Sequence, residues 1–297
     1  IKTKIILGDQ IFKVDLKSNY SFLDKKSDNA SENNIINFKL DKNDSKFSDV
    51  ELFVRSDNNS INTKEFKKYL KIQEQDNLIF DQIVNINSNF KINASIDDKF
   101  NIKNFTIKSD LNLDNLNINY RSNLIKKYLT NFDNKIAIKN PQILFEYSND
   151  LFNLQMDGKY LLKDKEENFF IISKGDEINF ELYSLLDLND SVLKIDEIQY
   201  LKKKNIPSKL EFLLIKSKNN FNLEKIKFIE RKNYISVNNL NISDKFKIQS
   251  VDKIDVNFLN SNGVKNNFKI KKILNEYQLT GNQIDGEIII EKLLKNN

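Results

Sequence analysis

The chain of 297 residues has no cysteine, no histidine and no tryptophan, and only 6 glycines and 2 prolines. Without cysteine there is no disulfide framework, no thiolate zinc site and no thiol nucleophile. Without histidine the commonest general base and metal ligand are gone, and with them every Ser-His or Cys-His machine. An enzyme built here would run on Asp, Glu, Lys, Tyr or Ser alone, so the expectation is a protein that is not an enzyme and carries no cofactor. The scarcity of Gly and Pro excludes collagen-like and linker-like sequence. No stretch approaches the ~18 apolar residues of a membrane-spanning helix, and no signal peptide is visible. Because it opens on "IKTKIILGDQ" with no Met, the chain reads as a piece of a longer protein, with any targeting segment or membrane anchor outside it.

Hydrophobic residues make up 39% of the chain and charged residues 30%, with 22 Phe and 10 Tyr carrying the aromatic load. Asn, Lys and Ile are frequent, the drift of an AT-rich genome, which weakens inference from any single Asn or Lys. The 47 basic and 42 acidic residues leave a net charge of +5. Lys and Asp are interspersed, and the densest basic run is Lys202-Lys203-Lys204. Nucleic-acid binding needs basic residues gathered on one face, so no nucleic-acid partner is expected.

Period-two alternation dominates, the mark of half-buried strands. Phe152, Leu154, Met156, Gly158, Tyr160 and Leu162 form one long case. Ile178, Phe180 and Leu182, then Leu210, Phe212 and Leu214, then Ile254, Val256 and Phe258 follow, with Phe268 and Ile270, and Tyr277 and Leu279, near the end. Polar clusters at 163–168, 173–177 and 260–263 separate them, as in an antiparallel meander. Helical spacing is scarce: residues 122–132 fit a helix capped by Ser122 or Asn123, with weaker candidates at 64–75 and 287–295. Residues 24–34 are polar and read as a loop. Two strand-rich blocks result, 1–120 and, after the helix, 121–297, with a soft boundary.

One figure recurs. Phe100, Ile102, Phe105 and Ile107 are spaced apolar-x-apolar-x-x-apolar-x-apolar, and Leu111, Leu113, Leu116 and Ile118 repeat the spacing. So do Leu193, Ile195, Ile198 and Tyr200, then Phe221, Leu223, Ile226 and Phe228, then Ile235, Val237, Leu240 and Ile242. Either a two-residue hairpin or a β-bulge would return all four apolar residues to one face. The hairpin leaves arms of only about three residues, against a usual ~5–6, and the inner pairs Asp-Glu and Glu-Lys lack the Gly or Asn that a primed turn favours. A bulge is therefore expected, and recurring bulges would curl the sheet.

The fold class that follows is mainly β, a long curled antiparallel sheet with one apolar and one charged face and few helices. An apolar face of several hundred Å² calls for a second sheet, closure on itself, or a groove that apolar ligands fill. The closed sandwich, as in a repeat-type surface or adhesive protein, and the open groove both remain. A carbohydrate-active site with paired carboxylates is a third possibility, with Asp97, Asp98, Glu166 and Glu167 as candidate acids.

The segment 235–294 adds a resemblance. Its short strands, the closure Leu279-Thr280-Gly281-Asn282-Gln283-Ile284-Asp285 and the following "EIIIEKLL" are similar to the AsmA-like superfamily, above all its YhdP- and TamB-type envelope proteins. That resemblance implies a taco-like open apolar β-groove in the periplasm, tethered to the inner membrane by an anchor outside this chain. It implies transport or bridging of phospholipid between inner and outer membranes, with acyl chains and an outer-membrane component as partners. Phe100, Ile102, Phe105, Ile107, Leu111, Leu113, Leu116, Ile118, Phe152, Leu154, Met156, Tyr160 and Leu162 are expected to line that groove. Gly281 is expected at a turn or tight backbone position. Asp285 is expected to cap a following helix or hold the turn. No metal site is expected.

Overall fold

The runs of alternation become strands because side chains one residue apart point to opposite faces, so an apolar residue at every second position gives one face to bury. A computed structural model describes residues 2–7, 11–19, 34–43, 47–62, 78–80, 83–99, 101–163, 165–218, 220–243 and 248–286. The protein is mainly β, 76% strand and 3% helix, and its large antiparallel sheet is not closed into a barrel. The weaker helix candidates at 64–75 and 287–295, and the loop at 24–33, lie outside the described residues.

Two compact units divide the chain. The first comprises Ile1–Glu74, Phe80–Leu116 and Ile138–Gly158, and the second Gln75–Ile79, Asn117–Ala137 and Lys159–Asn297. In the first, β1 (Lys2–Leu7), β2 (Ile11–Asn19), β3 (Ile35–Asn43) and β4 (Phe47–Asn62) pair in sequence. Past the short β5 (Leu78–Phe80), β4 pairs with β6 (Ile83–Asp97), and β6 with β7 (Ile102–Leu113). Then come β8 (Asn115–Tyr120) and the helix α1 (Asn123–Tyr128). The next strand, β9 (Lys135–Ser148), returns to pair with β7. That pairing draws 138–148 into the first unit rather than into a block beginning at 121. β10 (Leu151–Leu161) follows. Helix α1 starts where expected, with the Ser122 hydroxyl accepting the Ile125 N–H at 3.1 Å, but stops at Tyr128.

The second unit contains β11 (Glu166–Gly175), β12 (Asn179–Asp187), β15 (Ser208–Ser217), β16 (Asn220–Glu230), β17 (Asn233–Ser243), β18 (Ile248–Leu259), β19 (Lys265–Ile273) and β20 (Glu276–Gln283), paired antiparallel in that order. Between β12 and β15 the chain leaves the sheet to form a small hairpin, β13 (Leu193–Ile195) and β14 (Tyr200–Lys202).

The recurring figure has more than one structural cause. At 102–107 it is a bulge: Ser95 opposes Lys103 and Asn93 opposes Thr106, so β7 carries one extra residue there, and Asn104 has φ +49°. At 111–118 the strand is interrupted at Asp114, and β8 resumes beyond it. In β16, Leu213 faces Lys225 while Leu214 faces Leu223, which leaves Glu224 unpaired. In β17, Asn239 is skipped between the Leu223–Leu240 and Lys225–Asn238 pairs, with φ +52°. Asp252 is skipped likewise between Leu240–Val251 and Asn238–Lys253, and the Asn239 side chain donates to its carboxylate at 2.9 Å. Glu224, Asn239 and Asp252 thus form a seam of displaced residues crossing three strands. The figure at 193–200 is different: Ile195 faces Tyr200 across a hairpin with a short 3-10 turn at Asp196–Ile198 and Gln199 at φ +51°. A bulge was the expectation there. Four linking residues, not two, let Gln199 take the left-handed turn.

Two occurrences escaped the sequence reading. Ile136, Ile138, Pro141 and Ile143 in β9 have the spacing, with Asn140 at φ +45° and its N–H on the Asp114 carbonyl at 2.8 Å. Val251, Ile254 and Val256 carry its second half. Asn tolerates the left-handed region better than any residue but Gly, so Asn104, Asn140 and Asn239 are structural choices as well as products of base composition.

Asn239→Gly is expected to leave stability within a few tenths of a kcal/mol, because Gly accepts positive φ freely. Asn239→Val should cost about 1–2 kcal/mol. Urea unfolding of both variants measures this, and equal losses would remove the conformational account of the seam.

Candidate functional site

Across the first unit the apolar residues fall in register. Val14 faces Leu40, which faces Val50, which faces Ala94. One step along, Leu16, Phe38, Leu52, Ile92, Ile107 and Tyr147 stand opposite one another in turn. The next row adds Ile36, Val54, Phe90, Ser109 and Phe145. These form one face, and nearly every member is half-buried; among the described residues of this unit, the buried apolar side chains are Val84, Ile86 and Pro141. The opposite face is a charge ladder: Glu51 takes Lys39 at 3.7 Å and Lys91 at 3.0 Å, and Lys108 pairs with Glu146. The Lys91 ammonium bonded to Glu51 holds that carboxyl below its usual range.

The residues expected to line a groove do not all gather in one place. Phe100 lies outside the described residues. Ile102 faces Ile96 yet is 61% exposed. Phe105 sets its ring edge-on to Tyr147 at 6.3 Å, Ile107 sits between Ile92 and Tyr147, and Leu111 and Leu113 face Ile143 and Ile86. Leu116, Phe152, Leu154 and Met156 are half-buried in the first unit, and Ile118 and Leu162 half-buried in the second. Tyr160 belongs to closed packing in the second unit. It is 8% exposed, its ring lies 6.4 Å from Phe169, and its hydroxyl donates to the Asp187 carbonyl.

The second unit has a comparable face, carried across its strands in rows. Leu186, Leu210, Phe228, Ile235, Val256 and Phe268 form one row, and Phe212, Ile226, Val237, Ile254 and Ile270 the next. Leu182, Leu214, Leu223, Leu240 and Val251 form a third, which stays aligned because the seam absorbs the slip. At one end the β13–β14 hairpin closes the face. Leu193, Ile195 and Ile198 pack there with Tyr200 against Phe228, Val256, Phe258 and Phe268, and the Tyr200 ring stands edge-on to Phe258 at 5.2 Å.

A buried polar group fastens this hairpin. The Tyr200 hydroxyl donates to Glu230. Lys202, wholly buried, donates to the carbonyls of Asn189 at 3.0 Å and Ser191 at 2.5 Å. Glu167 accepts the backbone N–H groups of Asn189 and Asp190, the latter at 2.9 Å. Burial pushes the Glu167 carboxyl up, against those two N–H bonds and the Lys202 charge. It pushes the Lys202 ammonium down, against the pull of Glu167, Glu230 and Asp190.

Gly281 lies in β20 opposite Phe268, where a Cβ would stand 2.4 Å from the Asn267 carbonyl oxygen. The tight backbone approach, rather than a turn, requires glycine there. Asp285 is fastened to the β18–β19 connection: its N–H donates to Oδ1 of Asn266 at the start of β19 at 2.8 Å, and its carboxylate accepts from Asn260 in the turn at 2.6 Å. The helix it was expected to cap falls on residues outside those described.

Each candidate acid has a partner of its own: Asp97 accepts from Asn101 and Lys99 at a turn, Asp98 pairs with Lys42, Glu166 pairs with Lys159 at 3.1 Å, and Glu167 holds the Asn189 and Asp190 backbone ahead of the hairpin. Among the described residues no three acidic side chains converge as metal ligands, and no helix is long and apolar enough to cross a membrane. In comparisons with known proteins, no family model matches the chain, and no curated protein or solved structure is significantly similar to it.

Burial raises the phenols of Tyr160 and Tyr200 above the ordinary value of 10.0, with carboxylates nearby adding to the shift. Above about pH 10 the unfolded chain releases these protons and the folded one does not. Stability should therefore fall as pH rises, by roughly 1.4 kcal/mol per unit for each tyrosine. The slope of unfolding free energy against pH measures this, and Tyr160→Phe should remove about half of the two-tyrosine share. Lys202→Met, which leaves buried acids uncompensated, should cost roughly 3–5 kcal/mol; a cost under 1 kcal/mol in urea unfolding would show that the group does not hold the hairpin.

Proposed function

We propose that this protein is a non-enzymatic carrier of phospholipid, an AsmA-like envelope component that holds acyl chains on an open apolar β-surface between the inner and outer membranes. The observation that carries this reading is the face of the first unit, where apolar rows spanning β2 to β9 stay half-buried while the opposite face is a charge ladder. A contiguous apolar face of this kind serves a partner, a membrane or a ligand. Acyl chains suit it because each buried methylene is worth about 0.8 kcal/mol. Successive rows are chemically alike, so a chain that slides along them gains and loses nearly equal contact, while escape into water loses it all. The periplasmic location, the inner-membrane tether and an outer-membrane partner come from the resemblance of residues 235–294 to AsmA-like proteins, and belong to this proposal.

A closed structural or adhesive β-protein is the second reading. The packed end of the second unit, with Tyr200 and Phe258 fully buried, favours it.

Native mass spectrometry of the gently purified protein, with lipid extraction alongside, separates the two. Phospholipid should co-purify in defined stoichiometry and be lost in Leu154→Glu, which places a charge among half-buried apolar neighbours, while circular dichroism keeps its β signal. A lipid-free mass that also refuses added phospholipid and apolar dye would establish the closed reading instead.

A further inference from the structure

In the turn between β18 and β19, Gly263 follows Asn262, and nowhere else in the chain does a glycine follow an asparagine. Ser261, Asn262 and Gly263 are all exposed. Gly263 has φ +77°, and nothing lies within 4 Å of where its Cβ would stand. The Asn262 side chain can therefore reach the Gly263 backbone nitrogen without the collision that a following side chain imposes. The same open surroundings admit water. Two hydrogen bonds hold the pair: the Gly263 N–H donates to the Asn260 carbonyl at 3.0 Å, and the Asn262 amide donates to Gln199 Oε1 at 3.0 Å. Both lie in an exposed turn, where local opening costs little.

This turn also holds the tip of the β13–β14 hairpin. The Ser261 N–H donates to the Gln199 carbonyl at 2.8 Å, and Gln199 Oε1 accepts the Asn260 amide at 3.2 Å as well as that of Asn262. Gln199 takes its left-handed conformation immediately before Tyr200, whose ring is part of the closed end of the apolar face.

We propose that Asn262–Gly263 is a site of spontaneous deamidation and backbone isomerisation, and that the conversion loosens the β13–β14 hairpin. The Gly263 nitrogen, giving its proton to solvent base, attacks Asn262 Cγ; the N–Cγ bond forms, the Cγ–Nδ2 bond breaks, and ammonia leaves. Water then opens the succinimide. Attack at Cγ gives aspartate, and attack at the Asn262 backbone carbonyl carbon gives isoaspartate, whose chain runs through Cγ. Nothing is oxidised or reduced, and water is the only co-reactant. Either product sets a carboxylate where an amide donated to Gln199. Turning the Gln199 amide over to meet it would give up the Asn260 bond to the same oxygen. Isoaspartate also lengthens the backbone of a turn closed by bonds from Gly263 and Val264 to Asn260. This chemistry is independent of what occupies the apolar faces.

The test ages the whole chain in mildly alkaline buffer. Trypsin, cutting after Lys253 and Lys265, releases residues 254–265, which carry Asn257, Asn260 and Asn262 together. Fragmentation in the mass spectrometer should show the mass gain of deamidation at Asn262 before the other two, and isoaspartyl methyltransferase should label the same peptide. Gly263→Asn keeps a residue that accepts positive φ but adds a Cβ, and should slow conversion at 262 to the pace of Asn260. Asn262 still intact when Asn257 or Asn260 has converted, or intact in the folded protein after the urea-unfolded chain has converted, overturns the site. Hydrogen exchange at 193–202 should be faster in aged than in fresh wild type. It should not change on ageing in Asn262→Gln, which keeps the amide donor but closes the ring far more slowly. Exchange at 193–202 unaltered once Asn262 has converted overturns the loosening.

Discussion

The structure depends on keeping apolar side chains on one face across many strands. In a pleated sheet a slip of one residue turns every following side chain over. A strand with one residue too many would bury its lysines and expose its leucines from that point on. The bulges at Asn104 and Glu224 prevent this by setting one residue aside. In the second unit the correction is shared: β16, β17 and β18 each displace one residue at the same level, and the rows beyond realign through Leu223, Leu240 and Val251. Neighbouring β15 alternates strictly through Leu210, Phe212 and Leu214, and so meets the seam as a change of register.

Similar faces meet different fates in the two units. In the first, cross-strand ion pairs such as Lys39–Glu51 and Lys91–Glu51 hold the solvent side, while the apolar side stays half-covered. Exposed pairs of this kind contribute little energy, and their service is to mark which face is outward. In the second, the chain folds part of itself back over one end of the face. The hairpin's apolar residues would cover that end in several orientations. The hydrogen bonds of Tyr200, Lys202 and Glu167 discriminate among them, since burying those groups unpaired would cost several kcal/mol.

That difference bears on function. A surface that holds acyl chains needs area without a closed core, and it needs no reactive group. The carboxylates that suggested a hydrolytic pair have structural partners at turns, strand edges and the hairpin, and Asp97 and Asp98 belong to a different unit from Glu166 and Glu167.

Local alternation was enough to read the strands, because the two-residue period is a property of the backbone. Phe152 to Leu162 and Leu210 to Leu214 announce β10 and β15 directly, and Ser122 announces the start of α1. The bulge in 102–107 and 221–228 was also legible, since a phase slip is visible in spacing alone. Spacing could not show that the same figure at 193–200 is a hairpin, because four apolar residues reach one surface by either route. Nor could it separate Tyr160 from Leu154, which share a strand and a face; Tyr160 is buried because Phe169 and the Asp187 carbonyl come to meet it from β11 and β12. Lys202 read as part of the densest basic run in the chain, and became the buried fastening of a hairpin. The sequence by itself determined strands, faces and slips, which are set by neighbours along the chain. Which end of a face is covered was decided only by residues distant in sequence, through burial and hydrogen bonds that no local pattern encodes.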